Sequence, residues 1–172
     1  MDDDKRLFLK IISGMLRYPD EQLISSLDDL KRALEDLPVS GAKSVCLDFL
    51  EYFKQASLLR LQEVFTETFD LNPSTCLNLT YHRWGDGKER AGTLIRLKRL
   101  YDEAGLEMAT EELPDYLPLI LEFIVANPNG DSTWIQKEFE VSVRDLSRRL
   151  QDKQSPFAGL FAVVEEIFRV GE

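Results

Sequence analysis

Chemistry in this chain would have to start from very few side chains. There is one histidine, His82, between Tyr81 and Arg83, with Trp84 close behind. A lone imidazole excludes a multi-histidine metal site and the H-E-x-x-H arrangement. Cys46 and Cys76 lie far apart with no C-x-x-C pattern, so neither a disulfide framework nor a zinc site is expected. A G-x-S-x-G elbow, a Walker loop and a G-x-G-x-x-G turn are all absent. Gly85-Asp86-Gly87 lacks the third glycine and the preceding strand, and reads as a turn. Glu111-Glu112 and Glu165-Glu166 are adjacent acids on helices, with nothing to separate the pKa of an acid from that of a base. The Tyr81-His82-Asp86 neighbourhood is the one place for small-molecule catalysis, and His82 there reads first as a hydrogen-bonded packing residue. No catalytic or metal-binding residue is assigned. The pattern is that of a binding protein.

The residues best suited to binding lie between Glu111 and Ile124, EELPDYLPLILEFI. Pro114 and Pro118 bracket an acid and an aromatic, Asp115 and Tyr116. With Asp115 as N-cap, Pro118 falls at the third helical position, where its missing N–H costs little. Leu117, Ile120, Leu121 and Ile124 follow at helical spacing, and Leu119, Phe123 and Val125 widen the apolar face almost all the way round. Such a helix belongs in the middle of a bundle. Its one acid, Glu122, must find a partner, a groove or water.

Helices are expected throughout the elements that position this segment. The first runs from about Asp3 to Arg17, and Tyr18-Pro19-Asp20 breaks it. A second carries Leu23, Leu27 and Leu34 before Pro38. The third starts near Ser40 to Lys43 and buries Val45, Phe49 and Phe53. A fourth begins near Ser57, with Leu58, Leu61, Val64, Phe65 and Thr68 along one stripe. The helical pattern then stops, leaving a connection at about residues 70–88 that packs across the bundle. Within it Asn72-Pro73-Ser74 is turn chemistry, and Cys76 to Leu79 reads as a helical turn or a short extended piece. Asp86 and Glu89 resemble a capping pair opening a helix to about Ala104, with Gly105 closing it. Its inner stripe is Leu94, Leu97, Tyr101 and Ala104; its basic outer face is Lys88, Arg90, Arg96, Lys98 and Arg99. After an Asn127-Pro128-Asn129-Gly130 turn, one helix spans about Ser132 to Asp152. Another, capped by Ser155-Pro156, continues through Val170. The expectation is one all-α domain over 1–172, a bundle of about seven to nine helices.

Composition bounds the partners. With 31 acids against 21 bases the net charge is −10, which argues against nucleic acid and favours a basic client. No run of about 18 apolar residues is present, so no membrane span is expected. The acidic opening MDDDKRLFLK is unlike a secretory signal, which suggests a cytoplasmic protein.

ELPDYLPLILEF resembles the ELPDHLP-type signature of the nitrate reductase delta-subunit chaperones, within the wider redox-enzyme maturation chaperone family. A second block, FTETFDLNPSTCLNLTYHRWGDGKERAGTLIRLKRLY from Phe65 to Tyr101, is similar to that family's succession of an aromatic-x-x-x-Phe-Asp segment, a small-residue loop, an L-x-L-T/F-x-H stretch, a Gly-Asp/Glu turn and a long helix. Leu16-Arg17-Tyr18-Pro19-Asp20 matches more loosely. The resemblance implies an all-helical cytoplasmic chaperone that binds the apo alpha subunit of respiratory nitrate reductase, including its N-terminal peptide. It would assist molybdenum cofactor insertion before membrane association and carry no permanent cofactor itself. Contact with molybdenum cofactor biosynthesis proteins is compatible with that role. Alternatives are a sister chaperone for a selenate, chlorate or dimethyl sulfoxide reductase, or a structural subunit of such a complex.

The signature maps onto Pro114, Asp115, Tyr116 and Leu117. Together the two blocks suggest a groove in which Phe65, Phe69, Tyr81, Tyr116 and Leu117 form the apolar wall. Asp86, Asp115 and Glu122 would meet basic residues of the client peptide at or near the rim. Tyr116 stands where many members have histidine, and Phe65 where tyrosine is frequent. The aromatic bodies are kept while particular hydrogen bonds are not.

Overall fold

Short polar side chains start the first helices of the computed structural model, which describes residues 1–108, 111–127 and 132–169. Asp2 accepts a hydrogen bond from Lys5 N (2.8 Å) and opens α1 (Asp3–Met15). Asp20 does the same for α2 (Glu21–Glu35) through Leu23 N, Ser40 for α3 (Gly41–Gln55) through Lys43 N, and Ser57 for α4 (Leu58–Phe65) through Arg60 N. Each such cap satisfies an orphan N–H and is worth about 1 kcal/mol. The chain leaves α4 through a π-helical turn, Thr66–Asp70, closed by Leu71 N donating to Thr66 O (2.9 Å). There follow α5 (Leu79–Trp84), α6 (Lys88–Glu103), α7 (Leu117–Ala126), α8 (Ser132–Asp152) and α9 (Ala158–Phe168). Among the described residues all regular structure is helical, as the all-α expectation requires.

The most apolar helix lies inside. Leu117, Pro118, Ile120, Leu121, Phe123 and Ile124 of α7 are buried, and α1 packs along it. The α8–α9 hairpin, the α2–α3 pair and the α3–α9 contact complete the bundle. An aromatic column runs through its middle: Tyr18 meets Phe65 edge-on (5.6 Å between ring centroids), Phe65 meets Phe69 (4.9 Å), and Phe69 meets Phe157 (4.7 Å). Phe157 then touches Phe49 (5.3 Å), which lies against Phe53 (4.6 Å).

Several boundaries differ from the sequence expectation. The connection after Phe69 is not irregular throughout, because Leu79–Trp84 forms a helix. The Asp86–Glu89 capping pair does not form. Gly87 takes the N-cap of α6, where an added Cβ would sit 2.9 Å from Trp84 O, and Asp86 turns toward Arg90 instead (3.5 Å). Gly105 ends α6 as expected: its φ of +69° lets Leu106 N reach Tyr101 O (2.9 Å). The buried stripe of α6 narrows to Leu97 and Tyr101, with Leu94 half-buried and Ala104 exposed. Ser155 contributes to the last helix start, its Oγ accepting from Phe157 N (3.3 Å). Pro128, Asn129 and Gly130 of the expected turn, and Val170, lie outside the described residues. No helix among the described residues is long and apolar enough to cross a membrane.

Candidate binding cleft

The signature aspartate is not a rim acid. Asp115 is 0 % exposed, and its carboxylate caps a helix that has no side-chain cap of its own. Thr80 N donates to Oδ2 (3.0 Å), Thr80 Oγ1 donates to the same oxygen, and Asn78 Nδ2 donates to Oδ1 (3.1 Å). These groups open α5, where unpaired N–H groups and the positive end of the helix dipole attract an anion. Arg90 completes the network, with Nε on Thr80 Oγ1 (3.0 Å) and Nη2 4.0 Å from Asp115 Oδ2. Arg90 therefore faces inward, against the outward placement expected of the basic α6 face. The backbone repeats the connection: Leu79 N donates to Asp115 O (3.1 Å) and Leu117 N to Leu77 O (2.9 Å). Tyr116, not Asp115, stands at the N-cap of α7, and Pro118 occupies the second helical position rather than the third.

That bridge brings Asn78 opposite Tyr116 and frames one side of a cleft of about 470 Å³. Phe65 and Phe69 form its floor, and Tyr18 and Tyr116 flank it. Leu77 and Cys76 add apolar surface, while Asp70, Asn78 and Glu112 add polar groups. Burial pushes the Tyr116 phenol pKa up, reinforced by the Glu112 and Asp70 carboxylates. Burial likewise raises the carboxyl pKa of Asp70, against a hydrogen bond from Thr66 that lowers it. Tyr18 is 48 % exposed, and the apolar neighbours of the two acids, Leu71 and Leu113, are 74 % and 44 % exposed. The floor residues Phe65 and Phe69 and the adjoining Leu77 are buried, and the lip is an open mixture of apolar and acidic groups. Such a surface can hold the apolar face of an amphipathic segment while pairing with a cation beside it.

Of the expected wall, Phe65, Phe69 and Tyr116 come together here, with Phe65 and Phe69 only 3 % and 2 % exposed and shared with the core. Leu117 does not, since it is 0 % exposed and belongs to the core. Tyr81 is half-buried on α5, with the Arg90 guanidinium 5.7 Å from its ring centroid, and does not line the cleft. Pro114 supports from behind, its carbonyl accepting from Tyr101 Oη (2.7 Å). Asp86 is exposed and pairs with Arg90, apart from the cleft lining. Glu122 opens onto a separate groove with Tyr101, Leu106, Met108, Leu119 and Phe123. Sequence reasoning missed Tyr18, Asp70, Cys76, Leu77, Asn78 and Glu112 as lining residues. All of them stand inside the segments that carry the resemblance, Tyr18 in the looser one.

His82 is a packing residue. Its Nε2–H donates to Cys76 O (2.7 Å), and its Nδ1 accepts from Arg149 Nη1 (3.1 Å), which also reaches Ser74 O (3.0 Å). Together with the Arg83–Glu138 ion pair (2.8 Å), this ties α5 and the preceding loop to α8. Burial lowers the His82 pKa from the ordinary 6.5. The unfolded chain therefore takes up the proton first as the pH falls. His82 supports the fold fully above about pH 6.5, and that support is lost as the pH drops through the lowered folded value. Urea midpoints should fall more steeply on acidification in the wild type than in His82→Gln, which keeps a donor and an acceptor. Equal slopes would remove His82 from the pH response.

Neither thiol is poised as a nucleophile. Burial pushes Cys46 up to about 12 and also raises Cys76. Among the described residues, no three His, Cys, Asp or Glu side chains are grouped to hold a metal ion.

Sequence comparisons with known proteins agree on one family. The family model described as nitrate reductase delta subunit matches residues 27–163. A Bacillus subtilis (strain 168) protein named a "probable nitrate reductase molybdenum cofactor assembly chaperone NarJ" is 32% identical over 161 residues, covering 94% of this chain and 88% of that protein. The nitrate reductase molybdenum cofactor assembly chaperone NarJ of Escherichia coli (strain K12) is 31% identical over 156 residues; the match covers 89% of this chain and 66% of that protein's length. The fold is similar to the crystal structure of an Archaeoglobus fulgidus protein described as a "putative redox enzyme maturation protein", with a TM-score of 0.69 at 21% identity, covering 96% of this chain and 94% of that one.

Proposed function

The chain belongs to the nitrate reductase delta-subunit family, and from that premise we propose that it is a cytoplasmic assembly chaperone for a respiratory nitrate reductase. Its client is the apo alpha subunit, gripped in part through that subunit's N-terminal peptide. The chaperone holds the client while the molybdenum cofactor is inserted and before the enzyme meets the membrane. The chain acts as one chaperone domain and needs no cofactor of its own.

The observation that supports this reading is the cleft between Tyr18 and Tyr116. It has the apolar floor and charged lip that helix-in-groove recognition uses, on a chain whose net charge of −10 attracts basic segments. Its residues come from the two segments that carry the sequence signature and from the Tyr18 turn.

Isothermal titration with a synthetic N-terminal peptide of the cognate alpha subunit tests it. A scrambled peptide and a dimethyl sulfoxide reductase signal peptide serve as controls. Selective binding of the first is expected. Tyr116→Ala should then weaken it by about 2 kcal/mol, roughly thirtyfold, as for a central aromatic anchor. Unchanged affinity in a folded variant removes Tyr116 from the site. No binding by either the peptide or the alpha subunit overturns the client assignment.

A further inference from the structure

Asp70 has an unusual position among the acids of this protein. It ends the π-helical turn that carries Phe69 to the cleft floor, so its carboxylate is solvent-exposed at the lip of an apolar surface. Burial raises its carboxyl pKa, and among the described residues it forms no ion pair with lysine or arginine. Arg17 is the base near Tyr116, and it forms no ion pair with Asp70.

Resting on the client-binding reading above, we propose that the cleft seats one cationic side chain of the bound segment, a lysine or arginine lying between the Tyr18 and Tyr116 rings and against the Asp70 carboxylate. An aliphatic stem covers Phe65 and Phe69, and the charged end meets Asp70. Tyrosine faces attract a cation through their ring quadrupole, more strongly where water is excluded. An exposed lip carboxylate without an ion-pair partner among the described residues can form a charge-assisted hydrogen bond to that cation, which the bound segment would then shield from water. A purely apolar segment would cover the floor and leave the Asp70 charge shielded from water and unpaired. The cleft is therefore selective: it favours an apolar stretch interrupted by a cation over a continuous apolar stretch.

The experiment uses the full chain and the alpha-subunit N-terminal peptide, with each lysine or arginine of the peptide replaced in turn by glutamine. One replacement should weaken binding to the wild type about tenfold, the scale of a hydrogen bond to a charged group. Asp70→Asn should weaken the parent peptide by a similar factor and show no further loss with that one replacement. Asp70→Glu, which keeps the charge, should recover most of the affinity. The proposal is overturned if folded Asp70→Asn binds the parent peptide as tightly as the wild type does. Losses from the protein and peptide changes that simply multiply also overturn it. In both cases the client-binding reading survives, whereas absence of any peptide binding overturns that reading and this one together.

Discussion

Asp115→Ala is expected to lower the unfolding free energy by about 3–5 kcal/mol, the scale for removing one partner of a buried charged network. The change leaves Thr80 N without its acceptor at the start of α5 and Arg90 without the carboxylate it faces. A half-buried guanidinium and an orphan N–H are both costly to leave unmade. Asp115→Asn should lose less, because its carbonyl can still accept one bond while its amide turns a donor toward other donors. Urea denaturation with an unchanged m-value would report the loss as a fall in midpoint. A loss below about 1 kcal/mol for the alanine variant would mean that α5 is held by its other contacts alone.

Client binding should suffer in the same variant, although Asp115 does not line the cleft. The bridge that places Asn78 against Tyr116 begins at the Asp115 backbone, and the carboxylate fixes Asn78 and Thr80 on the far side. Asp115 is thus a positioning residue. A signature aspartate beside a cleft invites a recognition role from sequence alone. Its burial removes it from the cleft lining, which Tyr116 and the other acids of the two resemblance segments, Asp70 and Glu112, occupy instead.

The local parts of the fold are legible in the sequence. Asp2, Asp20, Ser40 and Ser57 cap the helices they precede because capping involves only the next few residues. The apolar period of α7 likewise identifies a core helix. Helix α5 escapes such reading because it is six residues long and its cap arrives from Asp115, 35 positions away. Arg90 falls on the outer face of the sequence pattern for the same reason: helical periodicity does not reveal a carboxylate contributed by another element. The cleft is half legible. Phe65, Phe69, Asp70 and Tyr116 come from the family blocks, but Tyr18 and Asp70 lie on breaks in the helical pattern, a turn and a π-helical end. Their shared cavity exists only in three dimensions.

The remaining large effect lies beneath the cleft. Phe157 is 1 % exposed and joins Phe49 to the two floor residues, with ring centroids 6.0 Å from Phe65 and 4.7 Å from Phe69. Phe157→Ala should cost about 3–5 kcal/mol, because the lost ring leaves a cavity among side chains already in close contact. Phe157→Leu, which refills most of the volume, should cost less. Stability alone would not separate a support for the floor from any other core residue. Leu34→Ala therefore serves as the comparison: Leu34 is 0 % exposed on α2, does not line the cleft, and should lose about 2–5 kcal/mol by the same mechanism. Titration is made at a temperature where both variants remain folded. Phe157→Ala should then bind the alpha-subunit peptide more weakly than Leu34→Ala, since only the first lets Phe65 and Phe69 shift under the ligand. Equal affinities would mean that the floor keeps its shape without Phe157, and that the aromatic column stabilises the bundle without tuning the cleft.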